Sequence, residues 1–168
     1  MGSRRRAAAS EKVRWLSRDQ ERAWRALAGL VHQLRSALEF QLERDSDLSF
    51  IEYHALARLS EERGHRLRMS ELAAVTNASL SRLSHLVKRL ERWGYVRREP
   101  DPTDGRFTIA VLTEAGYRKL VASAPTHVAA VRQLVINEFS AAELAQLRSM
   151  CDRIVARVEA SEWNLDLT

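Results

Sequence analysis

Between Ser79 and Arg106 the chain is dense in side chains that can bond nucleic-acid groups. Ser79, Ser81, Arg82, Ser84, His85, Lys88 and Arg89 recur on one side of a helical period whose other side carries Leu80, Leu83, Val87 and Leu90. A helix that reads a groove needs that division. One apolar face locks it to its domain, and short polar or basic groups occupy the face turned outward. Serine hydroxyls both donate and accept, and an arginine fork can give two bonds to a guanine edge. Ser79, Ser81 and Arg82 fall in the first turn and are assigned to base edges. Lys88 and Arg89, a turn or more later, are assigned to phosphates. Downstream, Asp101-Pro102-Thr103-Asp104-Gly105-Arg106 sets two acids and an arginine around a tight turn. An arginine at such a tip can enter a minor groove, where negative potential concentrates. An aspartate beside it can hold the guanidinium in a bidentate pair.

The charge distribution points the same way. The 168 residues carry 27 Lys+Arg and 22 Asp+Glu, a net charge of +5. Residues 63–106 alone hold ten basic side chains, Arg97 among them, and five acids, while the remaining chain balances at 17 of each. A basic patch on an otherwise neutral protein suits a polyanionic partner. Catalysis finds no comparable support. The chain has no G-x-x-x-x-G-K, G-x-G-x-x-G or H-E-x-x-H motif, and the histidines at 32, 54, 65, 85 and 127 show no metal-ligand pairing along one helix. No catalytic residue, metal or cofactor is expected. Cys151 is the single cysteine, which excludes an internal disulfide framework. It shares a stripe with Leu144, Leu147 and Ile154, so the expectation is a buried small hydrophobe rather than a redox switch. No run of about 18 apolar residues exists, so no membrane span is expected. The basic start, Met1-Gly2-Ser3-Arg4-Arg5-Arg6, has no apolar segment behind it and is no signal peptide. The default compartment is the cytoplasm.

The elements that would position these residues can be read from caps and periods. Ser17-Arg18-Asp19-Gln20 has the capping-box pattern and opens a helix with Trp24, Leu27, Leu30, Val31, Leu34 and Leu38 on one stripe, running to about Glu43. Asp45-Ser46-Asp47 breaks it. Ser49-Phe50-Ile51-Glu52 opens a second helix to about Glu62, closed by Gly64. Ser70 caps a short helix from Glu71 to about Thr76, and a break at 76–79 leads into the polar-faced helix, which Gly94 ends. Residues 95–99 and 107–112 then read as two strands of a hairpin. Thr113 starts a helix that Pro125 should kink or split near Ser123. Ser140-Ala141-Ala142-Glu143 opens the last helix. The expected class is mainly α: a winged helix-turn-helix with a two-stranded wing and N- and C-terminal dimerisation helices. The segments are a basic, flexible 1–16, in which Arg4-Arg5-Arg6 could touch phosphate; dimerisation helices at 17–48 and 113–160; a DNA-binding lobe at 49–112; and a frayed tail at 161–168. The terminal helices carry apolar stripes that a small wing domain cannot cover by itself, which argues for a dimer.

Residues 68–116 resemble the MarR family of winged helix-turn-helix transcription regulators. The matching pieces are Ser70-Glu71-Leu72-Ala73; the run Leu86-Val87-Lys88-Arg89-Leu90-Glu91-Arg92-Trp93-Gly94-Tyr95-Val96; Asp101, Asp104 and Arg106 in the turn; and Leu112-Thr113-Glu114-Ala115-Gly116. The flanking helices match in order and length, so the resemblance covers roughly 17–160. It implies an obligate homodimer on a palindromic operator in double-stranded DNA. It makes Arg106 the wing arginine and Asp104 its partner, and it turns Ser81, Arg82 and His85 toward the major groove. The prolines flanking Asp101 depart from the pattern and would stiffen the wing; His85 sits at a position whose role varies in the family. The resemblance also implies release from DNA by a small aromatic or anionic effector in a cleft between dimer helices and DNA-binding lobe. The candidates there are Trp24, His32, Arg35, Tyr53 and His54, with aromatic rings to stack and His or Arg to meet a carboxylate. For Trp24, core packing is the competing expectation. The reading is a dimeric, sequence-specific repressor; the alternative is a winged-helix protein-interaction adaptor without specific DNA binding.

Overall fold

The computed structural model describes residues 13–161. Residues 1–12 of the basic segment, Arg4-Arg5-Arg6 among them, and all of the tail except its first residue lie outside the described residues. The chain divides into two units, Met1–Leu34 and Arg35–Thr168.

The first unit holds the start of helix α1 (Arg18–Ser46). Ser17 and Gln20 close the expected capping box: Gln20 N–H donates to Ser17 Oγ at 3.3 Å, and Ser17 N–H donates to Gln20 Oε1 at 2.9 Å. Of the apolar stripe in this stretch, Trp24, Leu30 and Val31 are exposed, and Leu27 and Leu34 are half-buried. Trp24, at 59% exposed, is not packed in a core.

The second unit contains the rest of α1, then α2 (Phe50–Glu61), β1 (Arg66–Arg68), α3 (Met69–Val75), α4 (Leu80–Arg92), β2 (Val96–Pro100), β3 (Thr108–Leu112), α5 (Glu114–Leu134), a 3-10 turn (Ile136–Glu138) and α6 (Ala141–Glu159). Its core gathers Leu42 from α1, Leu56 and Leu59 from α2, Leu72 from α3, and Leu83, Val87 and Leu90 from α4, all fully buried. Burying a leucine side chain contributes about 1.5–3 kcal/mol, so this apolar contact is what holds α4 in place. Leu80, expected on the buried stripe, is 47% exposed, and Leu86 takes its place inside. Leu80 opens the helix, where the turn from α3 swings it out of the stripe; Leu86 lies three residues from Leu83 and shares its face.

The hairpin is one part of a three-stranded antiparallel sheet in the order β1-β3-β2. Arg66 pairs with Val111 and Arg68 with Ile109 on one side of β3, and Val96 pairs with Leu112 on the other. The two-stranded expectation misses β1 because three residues are too few to display a period of two. β1 runs directly into α3, so the helix begins at Met69 and Ser70 lies inside its first turn rather than at its cap. Arg68 N–H instead donates to the Glu71 carboxylate at 3.0 Å.

Two further corrections concern the C-terminal half. Helix α5 runs unbroken through Pro125. The bond that proline forfeits belongs to the carbonyl of Val121, an exposed residue. The Ser123 hydroxyl donates to Lys119 O at 2.8 Å in the same stretch. Cys151 is exposed rather than buried. Helix α6 has no buried residue, so the stripe Cys151 shares with Ile154 and Val155 is uncovered in the single chain.

Candidate nucleic-acid interface

The local signals around α4 explain its placement. Asn77 adopts a left-handed backbone (φ 50°) in the turn from α3, a conformation asparagine tolerates. Ser79 then caps α4, its Oγ accepting from Arg82 N–H at 3.3 Å. Gly94, at φ 74°, turns the chain from α4 into β2. With Leu83, Leu86, Val87 and Leu90 buried, the opposite side presents Ser81, Arg82, His85 and Lys88 to solvent.

Arg89 does not share that arrangement. Expected as a phosphate contact, it is drawn instead to the carboxylate of Glu52 on α2, to which both Nε and Nη2 donate. Its guanidinium lies 5.1 Å from the centroid of the Trp93 ring. Glu52 is 1% exposed and also completes the α2 capping box, accepting from Ser49 N–H at 2.8 Å. A buried carboxylate needs such partners, which is the physical reason Arg89 is bound to it although its own side chain stays 45% exposed. Arg97 on β2 is exposed and ion-paired with Glu99 two residues on.

At the wing tip Arg106 is 85% exposed, while its partner Asp104 is 26% exposed. Arg106 Nε donates to Asp104 Oδ1 at 2.9 Å and Nη2 to Oδ2 at 2.6 Å. The pair holds the Asp104 carboxyl below the usual carboxylate range, through its hydrogen bonds to Arg106. The arginine is therefore presented to solvent already oriented by its aspartate.

A second ion pair at the wing root escaped sequence reasoning. Arg68 Nε donates to Asp101 Oδ2 at 2.6 Å, and its guanidinium sits 4.7 Å from the Phe107 ring centroid. Asp101 also accepts from the Thr103 hydroxyl at 2.7 Å and the Thr103 N–H at 2.8 Å. Thr103 foremost, with Arg68, pushes the Asp101 carboxyl down to about 2. The Asp-Pro-Thr spacing signals the local turn. Nothing in the sequence signals an arginine 33 residues earlier.

A cavity of about 350 Å³ lies beside this surface, with Arg35, Phe50, His54, Arg58, Asn77 and Arg82 in its wall. Of the five expected effector residues, Arg35 and His54 line it. Burial, with His127 and Arg58 nearby, lowers the His54 pKa and favours the neutral ring. Tyr53 packs against the His127 ring instead, with centroids 4.4 Å apart. His127 is buried and donates from Nδ1 to Gln41 Oε1 at 3.0 Å, and Gln41 donates in turn to Asp45 at 3.0 Å. Trp24 and His32 belong to the Met1–Leu34 unit. Among the described residues no cluster of His, Cys, Asp or Glu could hold a metal, and no helix is long and apolar enough to cross a membrane.

Comparison with known proteins places this geometry among relatives. A MarR family model matches residues 46–106. A MarR family transcriptional regulator from Streptomyces coelicolor, solved in complex with DNA, is 39% identical with a TM-score of 0.85; the match covers 94% of this chain and 98% of that one. AbsC, another MarR family regulator from Streptomyces coelicolor, is 37% identical with a TM-score of 0.83, covering 89% of this chain and all of its own. The uncharacterized HTH-type transcriptional regulator YdcH of Bacillus subtilis (strain 168) is 31% identical over 62 residues, which is 37% of this chain and 42% of that curated relative's length.

Proposed function

Because the chain belongs to the MarR family, we propose that it is a dimeric, sequence-specific DNA-binding regulator of transcription, acting as a repressor. The observation that carries this reading is the pairing of two presented surfaces. The polar side of α4 stands on a buried leucine stripe, and Arg106 projects from the wing on Asp104. In this reading Ser81, Arg82 and His85 read base edges in the major groove, with Ser79 at the helix start. Lys88 bonds phosphate, Arg97 lends positive charge, and Arg106 enters the flanking minor groove. Two-fold symmetry matches a palindromic operator with half-sites one DNA turn apart, about 34 Å. The exposed apolar residues Met150, Ile154, Val155 and Val158 of α6 support a second copy as the cover of that helix. The reading places the protein with its DNA in the cytoplasm.

The test is selection of preferred duplexes from a random pool at low and moderate salt. The expected result is a palindrome with half-sites about 10 bp apart, bound less tightly as salt rises. Arg82→Ala is expected to change the preferred base at one position of each half-site. If the preferred sequence stays the same, Arg82 bonds only phosphate. No enrichment, or weak binding insensitive to salt, would transfer the winged helix to a protein partner.

The wall of the cavity supports a small aromatic anion as effector. Three arginines and His54 offer donors to a carboxylate, and Phe50 offers a ring face. Because Arg82 belongs both to that wall and to α4, a bound carboxylate would draw its guanidinium from the DNA. Benzoate is expected to weaken binding to the selected duplex, and Arg35→Ala to blunt that release. Affinity unchanged by benzoate, with the same duplex and salt, would remove this class of effector.

A further inference from the structure

We propose that Glu52 and Arg89 are a positioning pair that fixes the rotation of α4 about its own axis, so that the recognition face meets the DNA at a set angle. The proposal rests on the DNA-binding reading above. A leucine stripe resists separation of two helices, but its attraction is non-directional and sets the roll of one against the other only coarsely. A bidentate arginine–carboxylate fork is directional. Arg89 lies in the last turn of α4, seven residues and about two turns from Arg82, hence on nearly the same side. Rotating α4 enough to turn Arg82 away would carry Arg89 off its carboxylate.

The carboxylate is itself tied to its own helix. Glu52 is 1% exposed, and its Oε2 accepts from both the N–H and the hydroxyl of Ser49 at 2.8 Å. It therefore belongs to the start of α2. Next to it, Phe50 N–H donates to Glu39 Oε2 of α1 at 3.1 Å. The hydrogen bonds that Arg89 donates to Glu52 raise its pKa first, and the negative charges of Glu52, Glu43 and Glu39 add to that. The line of bonded groups thus runs from α1 through the start of α2 to the end of α4.

This geometry separates Arg89 from its neighbour Lys88. Lys88 is exposed and can meet a phosphate without breaking a buried ion pair. Arg89 has Nε and Nη2 committed to a carboxylate with almost no access to water, and freeing them for a phosphate costs more than one exposed phosphate bond offsets.

Affinity for the selected duplex, measured against salt well below the melting temperature of each variant, tests the proposal. Lys88→Gln should flatten the log–log salt dependence by about 0.9 for each phosphate no longer neutralised. Arg89→Gln and Glu52→Gln should each weaken binding by about tenfold, the scale of one misoriented base-reading side chain, with the salt slope unchanged. The double variant should bind no more weakly than either single one. Arg89→Lys should not restore affinity, because an ammonium cannot form the fork. Two results overturn the pair. One is a flatter salt slope for Arg89→Gln together with undiminished affinity for Glu52→Gln, which makes Arg89 a phosphate ligand. The other is a lower melting temperature with wild-type affinity and slope, which makes the pair structural only. Should Glu52→Gln not fold, the two Arg89 variants carry the test, since Arg89 is 45% exposed. If the wild-type chain selects no duplex, the DNA-binding reading fails first and the comparison among variants shows it by having no reference affinity.

Discussion

Gly116→Ala is expected to destabilise the protein by about 3 kcal/mol or more, at the upper end of what overpacking a tight contact costs. In a helix interior alanine is favoured over glycine by about 1 kcal/mol, so propensity alone predicts the opposite sign. The close approach decides. A Cβ at Gly116 would stand 2.1 Å from Tyr95 O and 2.8 Å from Leu112 Cδ1. The first of these is backbone and cannot rotate away. Nor can the first turn of α5 retreat easily: Thr113 N–H donates to Tyr95 O at 3.0 Å, its hydroxyl donates to Gly94 O at 2.6 Å, and the same hydroxyl accepts from Gly116 N–H at 3.0 Å. Denaturant unfolding measures the effect directly. A variant as stable as the parent, or more so, would show that α5 can move off the hairpin at little cost. The Leu-Thr-Glu-Ala-Gly run thus has a physical content: threonine caps the helix and ties it to the start of β2, and glycine lets the two meet.

Arg106→Ala is expected to weaken DNA binding by about ten- to hundredfold, the range for removing one good polar interaction with a groove. The effect should be similar for all sequences that share the palindrome, because a minor-groove arginine reads shape and potential more than base identity. Thermal stability should hardly change, since the side chain is 85% exposed. Asp104→Ala tests the orientation separately. It keeps the cation but removes the bonds at 2.9 and 2.6 Å, so binding should weaken in the same direction and by less. Unchanged affinity for Arg106→Ala would take the wing out of the interface altogether. Unchanged affinity for Asp104→Ala alone would reduce that aspartate to a solvated turn residue.

Local signals were legible because their causes are local. The capping boxes at Ser17, Ser49 and Ser140 each place a hydroxyl three residues before a Gln or Glu, and all three form. The α4 stripe, the glycine turn after it and the paired Asp104 and Arg106 need only neighbouring residues. Local reasoning failed where a second element changed the outcome. Strand β1 exists because β3 lies beside it. It carries the chain straight into α3, which moves the cap from Ser70 to Arg68. Pro125 leaves α5 intact because the carbonyl it strands belongs to an exposed residue.

The amino-acid sequence by itself determined that the chain builds a mainly helical winged helix-turn-helix with its positive charge gathered in the wing lobe. Periodicity, caps and turn chemistry act over a few residues, and the order of elements follows from them. Which cations remain available to a partner was decided only by the tertiary structure. Arg89 and Arg68 read as equivalents of Arg82 in composition, yet one is tied to Glu52 across 37 residues and the other to Asp101 across 33. Those partners are set by burial: a carboxylate removed from water recruits the nearest guanidinium the packing supplies, and no spacing along the chain encodes which one that is.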